Sequence, residues 1–487
     1  MRLRTLLKAL PFFTIQGDGN PDISNLANHH KKVRYGDLFI CVKGLDIDSH
    51  TLVKEAEEKG AVAVISEKPL DDVKIPVVVV PDTKRAMAIL ADYFYGQPSH
   101  QLLLVGVTGT NGKTTTTHLI ENIFSCYGKK TGSIGTLHIK MGDELEPSQN
   151  TTPDSLTLQQ TFKRFIGKDI NAAVMEVSSH ALDQGRVNGC DYNIAVFTNL
   201  SQDHLDYHET MEEYRSAKSL LFAGLGNIYS KESPKYAVIN LDDANAHYFI
   251  RSTAAHVFTY GLSSKAHFHA KDLVLTAGES SFTLVTPFGE KSVSIKLAGK
   301  FNVYNALAAI TTAYAAGIPL EKSIEYLQEI QGVRGRFETI GEGQNFSVIV
   351  DYAHTPDGLQ NVLQTIRSIS TGDIFVVVGC GGDRDKLKRP IMAKIACQYG
   401  DYAIFTSDNP RTENPSSILT DMEAGVVGDK YELIEDRKEA IHQALRKAGK
   451  GDVVLIAGKG HETYQIIGNN ILEFDDSAVA RQILKEL

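Results

Sequence analysis

The sequence predicts an α/β protein of three domains: a small α/β domain at the N-terminus, a central domain with a mainly parallel sheet, and a Rossmann-like C-terminal domain. The chain has 487 residues, and roughly 150 residues per domain gives three domains. Short apolar runs alternate with helical patterns along almost the whole chain, which favours parallel sheets covered by helices. We therefore predict domains over residues 1–98, 99–331 and 332–487.

Composition excludes several classes of protein. The chain carries 50 Lys and Arg against 59 Asp and Glu, a formal net charge of −9, which argues against binding to nucleic acid or to an anionic membrane. Hydrophobic residues make up 42% and charged residues 22%, which excludes wholesale disorder. No apolar run approaches the roughly 20 residues of a membrane-spanning helix, so we expect no membrane span.

The cysteines and the N-terminus indicate a reducing compartment. The 5 cysteines are an odd number, scattered without a CxxC pair, which is typical of small buried side chains rather than of disulfides or a zinc site. The start MRLRTLLKALPFF is basic and then apolar, but Lys8 and Pro11 interrupt the apolar stretch. This pattern predicts an amphipathic first helix rather than a signal peptide, and we expect a cytoplasmic protein that acts as a monomer.

The N-terminal domain is predicted from apolar runs separated by helical patterns. Strands are predicted at Leu38–Val42, Ala61–Ile65 and Ile75–Val80, and helices at Thr51–Lys59 and Thr83–Tyr95. The stretch Tyr95–Gln101 contains Gly and Pro, which is typical of a domain boundary.

The central domain begins with a buried strand at Leu102–Val107. Further strands are predicted at Ala172–Val177, Ile194–Asn199 and Ala237–Leu241. Between Val257 and Leu297 the pattern changes to short alternating strands, which indicates an antiparallel patch, and an Ala-rich helix follows at Val303–Ala316.

The C-terminal domain opens with GVRGRFE at Gly332–Glu338 and returns to the parallel pattern. Strands are predicted at Ser347–Tyr352, Ile374–Gly379, Tyr402–Thr406 and Val453–Ala457, with helical segments between them.

The strongest local signal is VGVTGTNGKTTTTHLI at Val105–Ile120. An apolar strand leads into a glycine loop, and a helix then begins, so backbone N–H groups can cradle phosphate oxygens in a P-loop-type arrangement. Lys113 would neutralise the outer phosphates and the Thr114 hydroxyl would bind Mg²⁺. The match to GxxxxGK[ST] is imperfect because Val107 holds the first glycine position. The alternative is a glycine turn with an incidental lysine.

Two later strand ends carry side chains that could bind a metal. VMEVSSHAL places Glu176 near the end of a buried strand, where a carboxylate needs a partner, either Mg²⁺ or a lysine. The next strand ends in TNLSQDHLDYH, Thr198–His208, which holds His and Asp side chains just past the strand. Ordinary surface histidines are the alternative at this second position.

The loop GTNGKT resembles the phosphate loop of the Mur ligase and folylpolyglutamate synthetase superfamily, whose members join an amino acid to a carboxylate using ATP. Matching segments follow in order, KFNVYNALAA, GRFE, DYAHTPD and GCGGDRDKLKRP, so the resemblance extends from about residue 100 to the end of the chain. It implies that Asn302 contacts adenine, Arg336 the nucleotide and Asp351 the ribose. The ATP-binding residues implied are Gly109, Thr110, Asn111, Gly112, Lys113, Thr114, Thr115, Asn302, Arg336 and Asp351.

The resemblance also implies the metal ligands and catalytic residues. Thr114, Glu176, His204 and Lys218 would hold Mg²⁺, with Lys218 at the family's carbamylated position. Addition of CO₂ converts the amine into a carboxylate-like anion that can help hold a second Mg²⁺, whereas an unmodified lysine would repel the metal. Lys113, His204 and Lys218 are the catalytic residues implied.

Two further segments resemble those that contact UDP-MurNAc-L-Ala-D-Glu in the tripeptide-forming members: TTPDS at Thr151–Ser155 and SSHALDQGRV at Ser178–Val187. The contacts implied are Thr151, Thr152, Ser178, Gln184 and Arg186. Hydroxyls and a guanidinium suit a diphosphate and a carboxylate. Ordinary turn chemistry is the alternative for Thr-Pro-Asp-Ser.

DNPR at Asp408–Arg411 resembles the signature of members that add meso-diaminopimelate, and L-lysine-adding members carry other residues there. A guanidinium matches the distal carboxylate of diaminopimelate, which lysine lacks, so lysine would leave a buried charge unpaired. An Asn-Pro turn and, for GKGHE, a plain glycine loop are the alternatives. The amino-acid-binding residues implied are Arg389, Asp408, Asn409, Arg411, Gly458 and Glu462.

The N-terminal domain departs from the family pattern. His29-His30-Lys31 stands where relatives carry Asp-Ser-Arg, with the serine near uracil, and Asp48-Ser49-His50 stands where Asp-Gly-His is common. We therefore predict no particular uridine contact, and a divergent carrier substrate is an alternative.

The resemblance implies an ATP-dependent ligase that adds meso-diaminopimelate to the D-Glu carboxylate of UDP-MurNAc-L-Ala-D-Glu through an acyl phosphate, in peptidoglycan precursor synthesis. The alternatives are the same chemistry with L-lysine, a folylpolyglutamate synthetase, and a non-catalytic nucleotide-binding paralogue. The extra N-terminal domain and DNPR speak against the second alternative. The set Lys113, Thr114, Glu176, His204 and Lys218 speaks against the third.

Overall fold

The computed structural model describes residues 1–44, 47–148, 150–276, 278–330 and 332–487, which form two compact units. The first comprises Met1–Thr108, Gly128–Ala195 and Leu220–Lys235, and the second comprises Gly109–Tyr127, Val196–Ser219 and Tyr236–Leu487. Within the described ranges, no helix is both long and apolar enough to cross a membrane. The three domain ranges predicted from the sequence stay a prediction.

The first unit contains a five-stranded sheet near the N-terminus. Its strands are β1 (Thr14–Gln16), β2 (Asn25–Ala27), β3 (Asp37–Ile40), β4 (Ala63–Ser66) and β5 (Val77–Val79). The order is β1-β5-β4-β3-β2, and only β1 is antiparallel to its neighbour. Every residue of β3 and β4 is buried, as expected for parallel strands covered on both faces.

The first unit also holds the strands that surround the glycine loop in sequence. They are β6 (Leu103–Thr108), β7 (Thr131–Ile134), β8 (His138–Met141), β9 (Glu144–Pro147) and β10 (Ala172–Glu176). They pair in the order β6-β10-β7-β8-β9, with β6, β10 and β7 parallel and β8 and β9 antiparallel. The register pairs Glu176 with Val107, so this carboxylate lies at the carboxyl end of the parallel strands.

The helices of the first unit include one with a clear start and stop signal. The helices are Leu3–Leu6, Val53–Glu58, Thr83–Tyr95, Ser155–Gly167 and Ser179–Asp183, with 3₁₀ turns at Leu7–Ala9, His30–Lys32, Ser49–Leu52 and Pro98–Gln101. The Thr83–Tyr95 helix has the bounds that the sequence predicts, because Asp82 accepts a hydrogen bond from the Arg85 N–H at its start and Gly96, at φ +77°, ends it.

The second unit begins its strands with β11 (Ile194–Phe197), in which the boundary between the units falls. The next strands are β12 (Tyr236–Asn240), β13 (His256–Gly261), β14 (Phe268–Leu275), β15 (Ser280–Thr286) and β16 (Gly289–Ile295). Strands β12, β13 and β14 are parallel, whereas β14, β15 and β16 form an antiparallel meander. The predicted antiparallel patch is therefore confirmed from β14 onward.

The C-terminal part of the second unit is built on a six-stranded sheet. Its strands are β17 (Glu338–Ile340), β18 (Ser347–Asp351), β19 (Ile374–Cys380), β20 (Tyr402–Ser407), β21 (Tyr431–Leu433) and β22 (Val453–Ala457), and β23 (Tyr464–Ile467) and β24 (Asn470–Glu473) form a hairpin. The order is β17-β18-β22-β19-β20-β21, and only β17 is antiparallel. The carboxyl ends of β18, β19, β20 and β22 therefore meet at one edge.

Both faces of this six-stranded sheet are covered. In β19, Val376 and Val378 pack into one apolar core and Val377 into another, which is the two-residue alternation of a strand buried on both sides. The helices of the second unit are Lys113–Cys126, Leu205–His208, Met211–Ala223, Ala246–Arg251, Lys300–Ala315, Leu320–Glu329, Pro356–Ile369, Lys388–Tyr399, Pro415–Glu423, Arg437–Lys447 and Asp476–Glu486. The predicted α/β class is confirmed.

Candidate active site

The glycine loop of the second unit is shaped by a close backbone approach. Gly109 has φ +149°, and a Cβ there would lie 1.9 Å from Thr198 Oγ1. Gly112, at φ +84°, precedes the helix Lys113–Cys126, and a Cβ there would lie 2.5 Å from Asn305 Oδ1. Only glycine fits both positions, because any side chain would clash as well as strain the backbone.

Hydrogen bonds hold this loop against the segment that follows β11. The Thr198 hydroxyl donates to the Asn111 carbonyl at 2.7 Å, and the Asn199 side-chain amide donates to the same oxygen at 3.0 Å. In return, the backbone N–H of Asn111 donates to Asn199 Oδ1 at 3.0 Å and that of Thr110 donates to the Asn199 carbonyl at 2.8 Å. Asn199 is a loop-shaping residue that the sequence alone did not single out.

Two lysine amino groups lie on one carbonyl of the loop. Lys113 Nζ donates to the carbonyls of Gly109 at 2.9 Å and Thr110 at 2.8 Å, and Lys218 Nζ donates to the Gly109 carbonyl at 2.8 Å. Lys218 is 1% exposed and lies over the Tyr214 ring. Burial, reinforced by the Lys113 charge, lowers the pKa of Lys218 well below its usual value. The structure therefore brings the two predicted catalytic lysines together and favours a neutral amine at Lys218.

An acidic group with two histidines lies in the same unit. Asp203 is 7% exposed, and its carboxylate lies 3.3 Å from His204 Nε2 and 4.0 Å from His354 Nε2. Burial by itself would raise the pKa of Asp203, but the two histidines and Lys388 hold it below its usual range. Burial, reinforced by Lys388, lowers the pKa of His354 to about 4. The predicted ligand His204 thus has Asp203 and His354 as neighbours, and His354 was not singled out from the sequence.

Arg336, a predicted nucleotide contact, lies at the start of the helix Lys113–Cys126. Its Nη2 donates to Thr114 Oγ1 at 3.1 Å, and its guanidinium stacks on the Tyr352 ring at 4.4 Å. The Asp351 carboxylate accepts the backbone N–H groups of Phe337 at 2.6 Å and Ala353 at 2.8 Å. Burial raises the pKa of Asp351 to about 6, although the Arg336 charge acts in the opposite direction.

The remaining predicted nucleotide contacts have structural partners. Asn302 is 2% exposed, and its amide donates to the Ala298 carbonyl at 2.8 Å and accepts from Asn305 at 3.0 Å. The Asn111 side chain donates to the Asp357 carboxylate at 2.9 Å, and Thr115 is buried on the helix. The adenine contact of Asn302 stays a prediction.

The predicted acceptor-binding residues gather around Glu176 in the first unit. The Thr152 hydroxyl donates to the Glu176 carbonyl at 2.9 Å and accepts the Ser178 N–H at 3.0 Å. Arg186 donates to the Thr152 carbonyl at 3.0 Å and to Gln184 Oε1 at 2.9 Å. The Thr136 hydroxyl donates to the Glu176 carboxylate at 3.1 Å. The Thr151 hydroxyl lies 3.1 Å from the Thr136 hydroxyl.

The carboxylate of Glu176 is held in a tight cradle. It accepts the Thr136 N–H at 2.9 Å, and a Cβ on Gly135 would lie 2.4 Å from its Oε1. The residue is 2% exposed. A buried carboxylate at the end of parallel strands, bonded to the Thr136 hydroxyl, provides the hard oxygen chemistry that Mg²⁺ prefers. Across the ranges that the structure describes, no three His, Cys, Asp and Glu side chains form a metal-binding group.

The predicted amino-acid-binding residues form a second cluster, at the carboxyl edge of the six-stranded sheet. The Asn409 amide donates to Glu462 Oε2 at 2.8 Å, and Lys459 donates to the same oxygen at 3.0 Å. A Cβ on Gly458, at φ +111°, would lie 2.8 Å from Asp408 Oδ2. Burial and the Asp408 charge raise the pKa of Glu462. Lys459, which is fully buried, was missed from the sequence.

The two arginines of this cluster have different partners. Arg389 is buried, and its guanidinium donates to the carboxylates of Glu413 at 2.8 Å and Asp421 at 2.7 Å. Arg411 is half-buried, and Nη1 donates to the Gly382 carbonyl at 2.8 Å. Within the described part of the chain, no carboxylate pairs with Arg411, so its charge is available to a ligand.

The residues that depart from the family pattern have local roles. The His29 and His30 rings stack, and His29 Nδ1 accepts the Lys31 N–H at 3.1 Å. The Ser49 hydroxyl donates to the Val42 carbonyl at 2.9 Å, and Asp48 pairs with the His50 ring.

A strand, a glycine loop and a helix follow one another in the chain, two lysines bind the loop, and a mainly parallel six-stranded sheet comes later in the sequence. These features define an α/β protein of the phosphate-loop class. Residues 107–313 match the family "Mur ligase middle domain", and residues 335–460 match "Mur ligase, glutamate ligase domain". The chain therefore belongs to the Mur ligase family.

Relatives of known name agree along the whole chain. A protein of Geobacillus kaustophilus is 57% identical over 488 residues, which is 100% of both chains, and one of Bacillus cereus is 54% identical over 484 residues, 99% of this chain and 98% of its own. Both are named UDP-N-acetylmuramoyl-L-alanyl-D-glutamate--2,6-diaminopimelate ligase. A solved structure with the same name is 36% identical, with a TM-score of 0.69, over 99% of this chain and 98% of that one. The resemblance stated from the sequence is confirmed.

Proposed function

We propose that this chain is an ATP-dependent ligase that adds meso-diaminopimelate to the D-Glu carboxylate of UDP-MurNAc-L-Ala-D-Glu, a step of peptidoglycan precursor synthesis. The names of full-length relatives at 54% and 57% identity support this substrate pair. The observation in the structure that carries the proposal is Arg411, a guanidinium without a carboxylate partner among the described residues, beside Asn409.

The chemistry begins at the glycine loop. The acceptor carboxylate attacks the γ-phosphorus of ATP, which forms an acyl phosphate and releases ADP. Backbone N–H groups at the start of the helix and the Lys113 ammonium provide the positive charge that a triphosphate requires. The amine of the incoming amino acid then attacks the acyl carbon, and phosphate leaves as the amide forms. Because an exposed acyl phosphate would hydrolyse, the site must exclude water during both steps.

The second unit offers ligands for magnesium if Lys218 is modified. The Thr114 hydroxyl and the His204 imidazole would hold Mg²⁺, which neutralises phosphate charge when bound, and Glu176 is the further ligand that the family resemblance implies. An unmodified ammonium beside Lys113 would oppose a divalent cation. The lowered pKa of Lys218 supports a neutral amine, which is the form that adds CO₂. We therefore propose that Lys218 is carbamylated.

The amino-acid cluster supports the choice of diaminopimelate. Its acidic and amide groups, Asp408, Asn409 and Glu462, suit an ammonium and carboxylate pair, and Arg411 suits a second carboxylate. Lysine ends in an ammonium instead and would place that cation near the Arg411 charge. Discrimination should therefore be strong, because the wrong substrate leaves the guanidinium without an anion.

The deciding experiment measures ADP release with UDP-MurNAc-L-Ala-D-Glu against a panel of meso-diaminopimelate, L-lysine and no amino acid. We expect release only when both substrates are present and only with diaminopimelate. Turnover with L-lysine but not with meso-diaminopimelate would overturn the choice of amino acid. Turnover on a folate would indicate the folylpolyglutamate synthetase alternative. Tight ATP binding without a trappable acyl phosphate would support a non-catalytic paralogue.

Removal of the Arg411 side chain tests the amino-acid site directly. Arg411→Ala should raise the KM for diaminopimelate by about 100-fold, because a desolvated charge pair contributes roughly 2–5 kcal/mol, and leave the KM for ATP unchanged. The matched control is Arg367→Ala, whose guanidinium pairs with Asp401 before β20 begins. An unchanged KM in Arg411→Ala would remove this residue from the site.

A cytoplasmic location and a monomeric state also belong to this proposal. The cytoplasm supplies ATP, and nothing in the charge of the chain favours a membrane surface.

A further inference from the structure

We infer that Arg437 and Asp476 are positioning residues for the amino-acid site, since their buried ion pair clamps the two strand ends that carry DNPR and GKGHE. The identity of the amino acid in this inference rests on the proposed function. The clamp itself concerns only residues of the second unit.

The ion pair is closed to solvent and bidentate. Arg437 opens the helix Arg437–Lys447, and Asp476 opens the helix Asp476–Glu486. Arg437 Nε and Nη2 donate to the two Asp476 oxygens at 2.8 and 2.7 Å. Both side chains are 0% exposed. The bidentate geometry fixes the guanidinium plane, because two parallel bonds leave it no free rotation.

The other N–H groups of the guanidinium reach the ends of two strands. Nη2 donates to the Ala457 carbonyl at 2.9 Å, and Nη1 donates to the Ser407 carbonyl at 3.4 Å. Ala457 is the last residue of β22 and Ser407 the last of β20. The next residues along the chain are Gly458 and Asp408, so the clamp acts one peptide unit before the site on both sides.

The clamp joins two strands that are not neighbours in the sheet. Strand β19 lies between β20 and β22, so no ladder hydrogen bond joins them. Their following segments nevertheless approach each other over the end of β19, where a Cβ on Gly458 would lie 2.8 Å from Asp408 Oδ2. A Cβ on Gly379 of β19 would lie 2.4 Å from the Thr406 carbonyl. The approach leaves little space for a shift of either segment.

Charge also drives the two segments apart. Asp408 follows β20, Glu462 follows β22, and their like charges repel, which the raised pKa of Glu462 reflects together with its burial. Arg437 interacts electrostatically with both carboxylates. Together with the buried Lys459, which donates to the Glu462 carboxylate, the Arg437 cation opposes this repulsion, and the hydrogen bonds of Arg437 also hold the backbone.

Stability alone does not account for this arrangement. Burying an arginine and an aspartate costs desolvation that their attraction often only offsets, and an apolar pair of similar volume can be as stable. The four hydrogen bonds to two strand ends and one carboxylate require the fork of a guanidinium, which neither lysine nor an apolar residue supplies.

The test is the pair of variants Arg437→Lys and Asp476→Asn in the full chain. We expect the KM for diaminopimelate to rise at least about tenfold, which corresponds to about 1.4 kcal/mol, while the KM for ATP stays within about twofold. The matched control is Leu445→Ala on the same helix, a residue that is 1% exposed in the apolar core. This control should lower the melting temperature without a selective change of the KM for diaminopimelate.

A ligand-free measurement separates the clamp from the proposed function. Amide hydrogen exchange in segments 408–412 and 458–463 should be faster in both clamp variants than in wild type, and the increase should exceed that in β19. In Leu445→Ala, which lowers global stability, exchange in these segments should increase no more than in β19. Unchanged exchange in the clamp variants, or a rise of KM as large in Leu445→Ala, would overturn the inference. If wild type releases no ADP with diaminopimelate, the proposed function fails, and the exchange data still decide whether the clamp exists.

Discussion

At the scale of single residues, Lys218 shows how burial changes the chemistry of a side chain. Its buried amine and that of Lys113 both donate to the Gly109 carbonyl, and the Lys218 amine lies over the Tyr214 ring. A second cation nearby and the loss of water both disfavour the protonated form. Burial therefore favours the neutral amine, which is the form that the proposed carbamylation requires.

Lys218→Met should lower kcat by on the order of 100-fold or more, because a thioether of similar length cannot form a carbamate that helps bind the metal. The melting temperature should not fall, since the change removes a buried amine. The assay is steady-state ADP release, with Lys235→Met as control, a lysine whose ion pair with Asp191 lies away from the loop in sequence. Retention of wild-type kcat in Lys218→Met would contradict the assigned role.

Asp351 makes stability depend on pH. Burial raises its pKa from 3.8 in the unfolded chain to about 6 in the fold, so between these values the folded protein keeps a proton that the unfolded chain has lost. The free energy of unfolding should therefore decrease as pH rises through this window, by about 3 kcal/mol in total from this group. Urea titrations from pH 4 to pH 7 test it against Asp351→Asn.

In Asp351→Asn the decrease should be absent, although the variant is less stable throughout because an amide accepts fewer backbone N–H bonds. A difference between wild type and variant that does not change with pH would show that Asp351 titrates normally. A difference that changes in the opposite direction would show that the Arg336 charge outweighs burial.

At the scale of elements, the glycine loop depends on contacts that no local pattern reveals. The signal of strand, loop and helix is carried by adjacent residues, but the reason for glycine at position 109 is Thr198, which comes from a distant segment. The conformation of the loop therefore depends on two segments that are far apart in the chain.

Gly109→Ala should weaken ATP binding at least about 100-fold, because its Cβ would lie 1.9 Å from Thr198 Oγ1 and displace the loop. The control is Gly128→Ala after the same helix, where φ is +91° but no atom lies within 4 Å of the added Cβ. That variant should lose only about 1 kcal/mol of stability and bind ATP normally. Calorimetric titration measures both, and equal affinities would show that the loop tolerates the clash.

Elements with strong local signals were predictable, and three short strands were not. The bounds of Thr83–Tyr95 and Val453–Ala457 agree with the sequence prediction, because caps and continuous apolar runs are local signals. Strands β7, β8 and β9 have four residues each and were not predicted. Their pairing is set by neighbours in the sheet rather than by their own composition.

At the scale of the whole molecule, nucleotide and metal should stabilise the fold together. Arg336 of the GRFE segment donates a hydrogen bond to the Thr114 hydroxyl at the start of the helix Lys113–Cys126. A ligand bound at the loop should therefore stabilise residues that are far apart in sequence. A non-hydrolysable ATP analogue at 100 times its Kd should add about 2.7 kcal/mol of stability, which raises the melting temperature by a few degrees. EDTA should remove most of this shift, and Gly109→Ala should not show it. A shift that is independent of Mg²⁺ would contradict the metal site.

The sequence by itself determined the α/β class, the phosphate loop and the order of the family motifs, because each is written in residues that are neighbours along the chain. Only the tertiary structure decided which charged groups are free to act. The charge of Arg389 is balanced by Glu413 and Asp421, 24 and 32 positions away, whereas Arg411 has no carboxylate partner among the residues that the structure describes. Lys218 meets the Gly109 carbonyl across 109 positions. The reactivity of a buried charge depends on what folding brings next to it and on the water it loses, and neither is encoded locally.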